Sequence, residues 1–133
     1  MILDTSYLLA LLEHDEAAFD MGMTMYERSV PARVSVTSVF ELFYGAALTL
    51  DDEERRQVRN VLMGYPWVPI DDEIARLAAE MVAAADRDAG GPEQSGVEDN
   101  DAYIGATARA YSEPVLTRND ADFEKLGVDV ETF

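Results

Sequence analysis

Four polar stations stand out by residue type and position: Asp4, Glu41, Asp101 and the group Asn119-Asp120-x-Asp122. Each falls where a helix is expected to begin, and three directly follow an apolar, strand-like run. Asp4 is the sharpest case. Ile2-Leu3 runs straight into it, and Tyr7, Leu8, Leu9, Leu11 and Leu12 then follow at helical spacing, so a short buried strand is expected to end at Asp4 and turn into a helix. In a parallel sheet every strand-to-helix turn lies on one edge, where acids distant in sequence meet. Carboxylates crowded there repel one another, and some take up protons. A divalent cation removes that difficulty, and oxygen donors without nitrogen or sulfur select a hard ion, Mg²⁺ or Mn²⁺. Water on such an ion has a lowered pKa and can attack phosphorus in line while the ion neutralises the phosphoryl oxygens. The acids thus point to metal-assisted phosphodiester hydrolysis.

Each station also has a purely structural explanation. Asp4 can cap the first helix. Ser38-Val39-Phe40-Glu41 fits a capping box in which Glu41 reaches back to the Ser38 amide. Asp99 or Asp101 can cap the next acidic helix, and Asn119 the last one.

The elements that must position these residues alternate along the chain. After the first helix, Asp15 to Ser29 reads as a second, with Phe19, Met23 and Tyr26 as an apolar stripe expected to pack in the core. Arg33-Val34-Ser35-Val36 reads as a strand. Thr37 and Ser38 break it, and Glu41 falls in the first turn of the helix that follows. Asp51 starts a charged helix whose Val58, Val61 and Leu62 face inward. Trp67 to Ile70 is a short strand near an edge, since Pro69 cannot donate a ladder bond. The next helix follows Asp71 or Asp72 and buries Ile74, Leu77, Ala78, Met81, Val82 and Ala85. Gly90 to Gly96 is a loop by composition, expected to be the most mobile segment. The helix opened by Glu98-Asp99-Asn100-Asp101 carries small residues from Ala102 to Ala110 and is expected to be central. Pro114 to Thr117 is a strand, Asn119 and Asp120 open a short helix, and Val128 to Val130 can form a last strand. This alternation implies a parallel sheet covered on both faces.

The chain has 133 residues with 48% hydrophobic residues, enough for one globular unit with a real core. It has no cysteine, which excludes disulfides and thiolate metal sites, and one histidine, His14, which excludes any site needing two imidazoles. No apolar run approaches the roughly 18 residues of a membrane helix, and the N-terminus lacks the basic region of a signal peptide. A soluble, cytoplasmic protein is therefore expected. The formal net charge is −17, and Lys125 is the only lysine among ten basic residues. Such a field opposes phosphodiester binding at low salt. It fits a halophilic surface adapted to a salt-rich cytoplasm, where the Debye length falls to about 3 Å near 1 M.

Four segments together resemble the PIN-domain ribonucleases of the VapC type, toxins of type II toxin–antitoxin pairs. Ile2-Leu3-Asp4-Thr5-Ser6 matches the family's opening strand and first acid. Ser38 to Gly45 matches its E-L-x-x-G helix and second acid. Asp101 to Ala108 matches its D-x-x-I-A-A-T-A block, with Gly105 for the usual alanine. Val115 to Asn119, with Asp122-Phe123, matches its close. Asn119 stands where the fourth acid is common; its amide oxygen can hold a cation or a water but adds no charge. Asp122, or else Asp120, would then supply the missing carboxylate.

The resemblance implies an α/β fold, a three-layer α/β/α sandwich with a short parallel sheet of about five strands, in one PIN-like domain spanning residues 1–133. It implies Mg²⁺, RNA cleavage, a homodimer and a cognate antitoxin that blocks the site. By position, Asp4 and Asp101 are expected as metal ligands and Glu41 as a third, direct or through water. Asn119 and Asp122 would hold a second ion or a bridging water. Thr5, Ser6, Thr117 and Arg118 are candidate RNA contacts, with capping or a surface ion pair as the alternatives. Rival readings are a PIN nuclease in RNA processing, a phosphoacceptor domain with Asp4 as nucleophile, and a non-catalytic interaction module.

Overall fold

The computed structural model describes residues 1–133. The elements alternate as β1 (Ile2–Leu3), α1 (Thr5–Leu12), α2 (Glu16–Glu27), β2 (Val34–Ser35), α3 (Val36–Thr49), α4 (Asp52–Met63), β3 (Trp67–Val68), α5 (Asp72–Ala89), α6 (Asp99–Tyr111), β4 (Val115–Leu116), α7 (Ala121–Lys125) and β5 (Val130–Glu131). Two parallel ladders, β1-β4-β5 and β2-β3, are joined by a parallel bridge between Ile2 and Arg33. The strands therefore run in the order β3-β2-β1-β4-β5, as the expected short parallel sheet. The chain moves from β1 to one side and returns on the other through β4, which makes the end of β1 the switch point where open α/β sheets place ligands. Asp4 stands there.

Side chains of successive strand residues point to opposite faces. Leu3, Val34 and Leu116 pack into a cluster with residues of α1 to α4, whereas Ile2 and Val115 pack with residues of α5, α6 and α7. The sheet is thus covered on both faces. Gly105 lies where α6 meets α7: a Cβ there would stand 3.0 Å from Leu126 Cδ1. The small-residue helix is central, as expected, with Ala102, Ile104, Gly105, Ala106, Thr107 and Ala108 all buried.

Most helix starts follow the side chains that invite them. Asp15, Asp51 and Asp71 each accept a backbone N–H from the first turn of α2, α4 and α5. Three expectations are corrected. The cap of α3 is Ser35, so β2 passes straight into the helix, and Glu41 lies in its second turn. No capping box forms between Ser38 and Glu41. The Phe19, Met23 and Tyr26 stripe is not core: these residues are 62%, 44% and 81% exposed. The helix turns Ala18 and Met25 inward instead, with Gly22 against the Tyr7 hydroxyl, because bulk already fills that face. Finally, the Gly90 to Gly96 loop is tied down. Asp86 accepts from the amides of Glu93 and Ser95 and from the Ser95 hydroxyl, and Lys125 Nζ donates to the Ser95 carbonyl at 3.0 Å.

Candidate active site

Asp4 follows β1 directly and is 5% exposed. It caps α1 weakly, accepting from the Ser6 amide at 3.4 Å. Its stronger partners are hydroxyls: Ser6 Oγ at 2.6 Å and Thr117 Oγ1 at 2.7 Å, both donating to Oδ2. These hydroxyls accept in turn from the loop after β4. The Arg118 amide donates to Ser6 Oγ at 3.0 Å and the Asn119 amide to Thr117 Oγ1 at 2.9 Å. One oxygen of Asp4 is thus held by two neighbouring strand ends, while Oδ1 accepts none of these bonds. Capping and site geometry coexist in this residue.

Glu41 reaches the same edge from the second turn of α3. Thr5 Oγ1 lies 3.0 Å from Glu41 Oε1 and 3.0 Å from Ser38 Oγ. Thr5 is the residue after Asp4, so β1 and α3 are stitched together at the acids. Burial raises the Glu41 pKa; the Thr5 hydroxyl opposes the rise, and the charges of Asp4 and Glu98 add to it. Asp101 arrives from the first turn of α6, whose cap residue Glu98 makes no side-chain cap bond. Burial pushes the Asp101 pKa up to about 7, with further contributions from Asp4, Asp122, Glu41 and Glu98. The acids therefore share one electrostatic environment, although no three of them already stand as a metal cage.

The last station is divided. Asp122 bears on Asp101 electrostatically and pairs with Lys125 Nζ at 3.0 Å. Asp120 is the cap residue of α7 but makes no side-chain cap bond. Asn119 is exposed and enters the network through its backbone amide. Arg118 turns away from the acids: its guanidinium meets Asp15 at 2.9 Å and lies 4.6 Å from the centre of the Phe133 ring. Sequence reasoning missed Glu98 as a charge bearing on both Glu41 and Asp101. The signal was its spacing, three residues before Asp101 and so on the same helical face.

The donor set is all oxygen, mutually repulsive, and offset only by Lys125 at its margin. That chemistry fits a hard divalent ion. The PIN domain family model matches residues 1–129. The chain belongs to the PIN-domain family. No curated protein sequence matches it. Among solved structures, it is similar to a chain of VapBC2 from Rickettsia felis bound to a DNA fragment of its promoter, with TM-score 0.85, 16% identity, and 99% and 97% of the two chains covered. It is also similar to a chain of DNA-bound VapBC from Salmonella typhimurium, with TM-score 0.80, 20% identity, and 98% and 96% covered. A chain of the toxin–antitoxin system VapBC-5 from Mycobacterium tuberculosis is 28% identical at TM-score 0.65, with 99% and 95% covered. The PIN fold and a place beside the VapC components of such complexes agree with the resemblance carried by the motifs. No helix is long and apolar enough to cross a membrane.

Proposed function

We propose that the protein is a divalent-metal-dependent endoribonuclease that cleaves single-stranded or structured RNA, acting as the toxin of a toxin–antitoxin pair. The observation that carries this reading is the convergence of Asp4, Glu41 and Asp101, from β1, α3 and α6, on one electrostatic site at the sheet's switch point. The toxin role, rather than RNA processing, is favoured because the similar chains come from VapBC complexes.

Asp4 and Asp101 would hold Mg²⁺ or Mn²⁺, with Glu41 as a third ligand, direct or through water. Asn119 and Asp122 would serve a second ion or a bridging water. The bound ion supplies a water of lowered pKa and neutralises charge developing on the phosphoryl oxygens. The chain does the rest. Ser6 and Thr117 hold one oxygen of Asp4 and leave the other free. Thr5 donates to Glu41, which would orient the attacking water. Asp101, whose pKa burial and the neighbouring acids raise to about 7, would hold the ion in its ionised form. Thr5, Ser6 and Arg118 would be the candidates to meet an RNA phosphate, whereas Thr117 is fully buried and would act only through Asp4.

The antitoxin would cover apolar surface and blunt the acids. Exposed aromatics are available: Phe40 and Tyr44, stacked 6.0 Å apart on α3, and the outer stripe of α2. A homodimer would bury more of the same surface. The net charge of −17 fits work in a salt-rich cytoplasm. The test is RNA cleavage with Mg²⁺ or Mn²⁺ in molar KCl, comparing the native chain with Asp4→Asn and Asp101→Asn. Both variants are expected to fold and to lose cleavage. Retained cleavage in either one would overturn the assignment.

A further inference from the structure

Asn100, one residue before Asp101, sits in the first turn of α6 against the face of α3 that carries Glu41. Thr37 lies on that same face, one turn before Glu41, since residues four apart on a helix are neighbours. Thr37 is 6% exposed, and its hydroxyl is 2.6 Å from Asn100 Oδ1. An amide has one accepting and one donating end. The nearby carboxylate repels the oxygen and attracts the N–H groups, which sets the amide with its oxygen on Thr37.

We propose that Asn100 is a positioning residue for Glu41: Thr37 fixes its amide oxygen, and its N–H groups are thereby turned toward the Glu41 carboxylate. The inference rests on the nuclease reading and deepens it, because it names what aims the third acid. Thr5 of α1 donates to Glu41, and Asn100 of α6 would be a second donor from a different element. Asp101 and Asn100 share a helical turn, so the two acids are held in register by one element. Thr37 touches neither acid and acts only through Asn100.

The experiment is Mn²⁺ titration calorimetry in molar KCl, with thermal unfolding recorded for every protein. The native chain is compared with Thr37→Val, Thr37→Ser, Asn100→Ala, the double variant Thr37→Val with Asn100→Ala, and Asp4→Asn. Asn100→Ala is expected to weaken Mn²⁺ binding about tenfold, the scale of lost outer-shell support. Thr37→Val should weaken it about two- to fivefold, as loss of an orienting hydrogen bond predicts. Thr37→Ser keeps the hydroxyl and should bind as the native chain does. The double variant should bind no more weakly than Asn100→Ala alone. Native affinity in both Thr37→Val and Asn100→Ala, or losses that add in the double variant, overturns the positioning role and leaves the nuclease reading standing. Absence of Mn²⁺ binding in the native chain, or unchanged binding in Asp4→Asn, removes the nuclease reading and this inference with it.

Discussion

At the end of the sheet where the strands begin, Glu113 lies between two cations. The Met1 ammonium is 2.6 Å from one oxygen and Arg33 Nε is 3.0 Å from the other. The Arg33 guanidinium in turn lies 4.7 Å from the centre of the Tyr111 ring. Burial pushes the Glu113 carboxyl up, but its bonds to the ammonium and to Arg33 outweigh that and hold it below its ordinary value. At the end where the strands finish, Asp4 and Glu41 are matched with hydroxyls rather than cations, and Asp101, pressed by burial and by its acidic neighbours, rises to about 7. The same kind of group is charged and paired at one end and, more deeply sheltered, poised against its neighbours at the other. A protein that sought only stability would treat both ends alike. The unpaired end is the one to which the proposed function brings a cation.

The contrast breaks most visibly if an acid of the unpaired end is neutralised. Asp4→Asn and Asp101→Asn are each expected to lower RNA cleavage by at least about 10²–10³-fold, the scale on which one preorganised charge-stabilising group acts. Asn at position 4 still accepts from Ser6 and Thr117, so circular dichroism should show the native fold. Cleavage within tenfold of the native rate would mean that the two ends differ in electrostatics but not in purpose.

The opposite experiment removes the paired end. Glu113→Ala leaves the Met1 ammonium, itself 5% exposed, without its carboxylate. The expected cost is about 2–3 kcal/mol, read as a shift of the urea midpoint, because a sheltered charge loses its partner. RNA cleavage should be unchanged under conditions where the variant is folded. A Glu113→Ala protein that unfolds at the native midpoint would show that this cluster is ornament to the sheet rather than its clamp.

The acidic half of this contrast was legible in the residues, whereas the Glu113 cluster was not, because its partners Met1 and Arg33 are distant in sequence. Asp4 announces itself because an apolar run that short, ending in an acid, places a carboxylate at the sheet edge whether or not it also caps α1. The order of strands and helices also reads directly from alternating periods. Three things were hidden, for identifiable reasons. Ser35, Thr37 and Ser38 are all competent caps, and the choice of Ser35 depends on where β2 stops pairing with β3, which is a tertiary fact. The α2 stripe has helical spacing on both of its faces, and only the bulk of Tyr7 against Gly22 decides that the large residues go outward. Glu98 and Asn100 looked like one more acidic helix start until α3 was placed beside them.

A subtler effect separates the ends by pH. In the metal-free folded protein the Asp101 pKa is about 7 against an ordinary 3.8. Between those values the folded chain keeps a proton that the unfolded chain has released, so this residue lowers stability as pH rises from about 4 to about 7. Below that window the penalty is absent, and above it the penalty is constant. Glu113 acts in the other sense: its stabilisation is present above its ordinary range and is lost as pH falls through the lowered value. Asp101→Asn should therefore raise the melting temperature of the metal-free protein at pH 7.5 and leave it unchanged near pH 4. The gain should be about 1–2 kcal/mol, or roughly 3–6 °C, after allowing for solvent screening at a half-open site. A gain of equal size at both pH values would trace it to packing and not to charge.

The smallest effect is expected at Arg118, the cation beside the acidic end that does not pair with its acids. Its guanidinium is committed to Asp15 at 2.9 Å and to the face of Phe133, and its side chain is 44% exposed. What it gives the site is its backbone amide, which donates to Ser6 Oγ and so supports Asp4. Arg118→Ala keeps that amide, and Asp15 keeps its bond from the Ala18 amide. The stability loss should be at most about 1 kcal/mol, typical of an exposed ion pair with a ring contact. Cleavage in molar salt should keep its kcat, with KM for RNA rising less than about threefold, since screening leaves little for one exposed cation to gain from a phosphate. A tenfold rise in KM at unchanged stability would show that Arg118 leaves Asp15 and Phe133 when RNA arrives. The acidic end would then carry a working cation of its own, and the division of charge between the two ends of the sheet would hold only for the free protein.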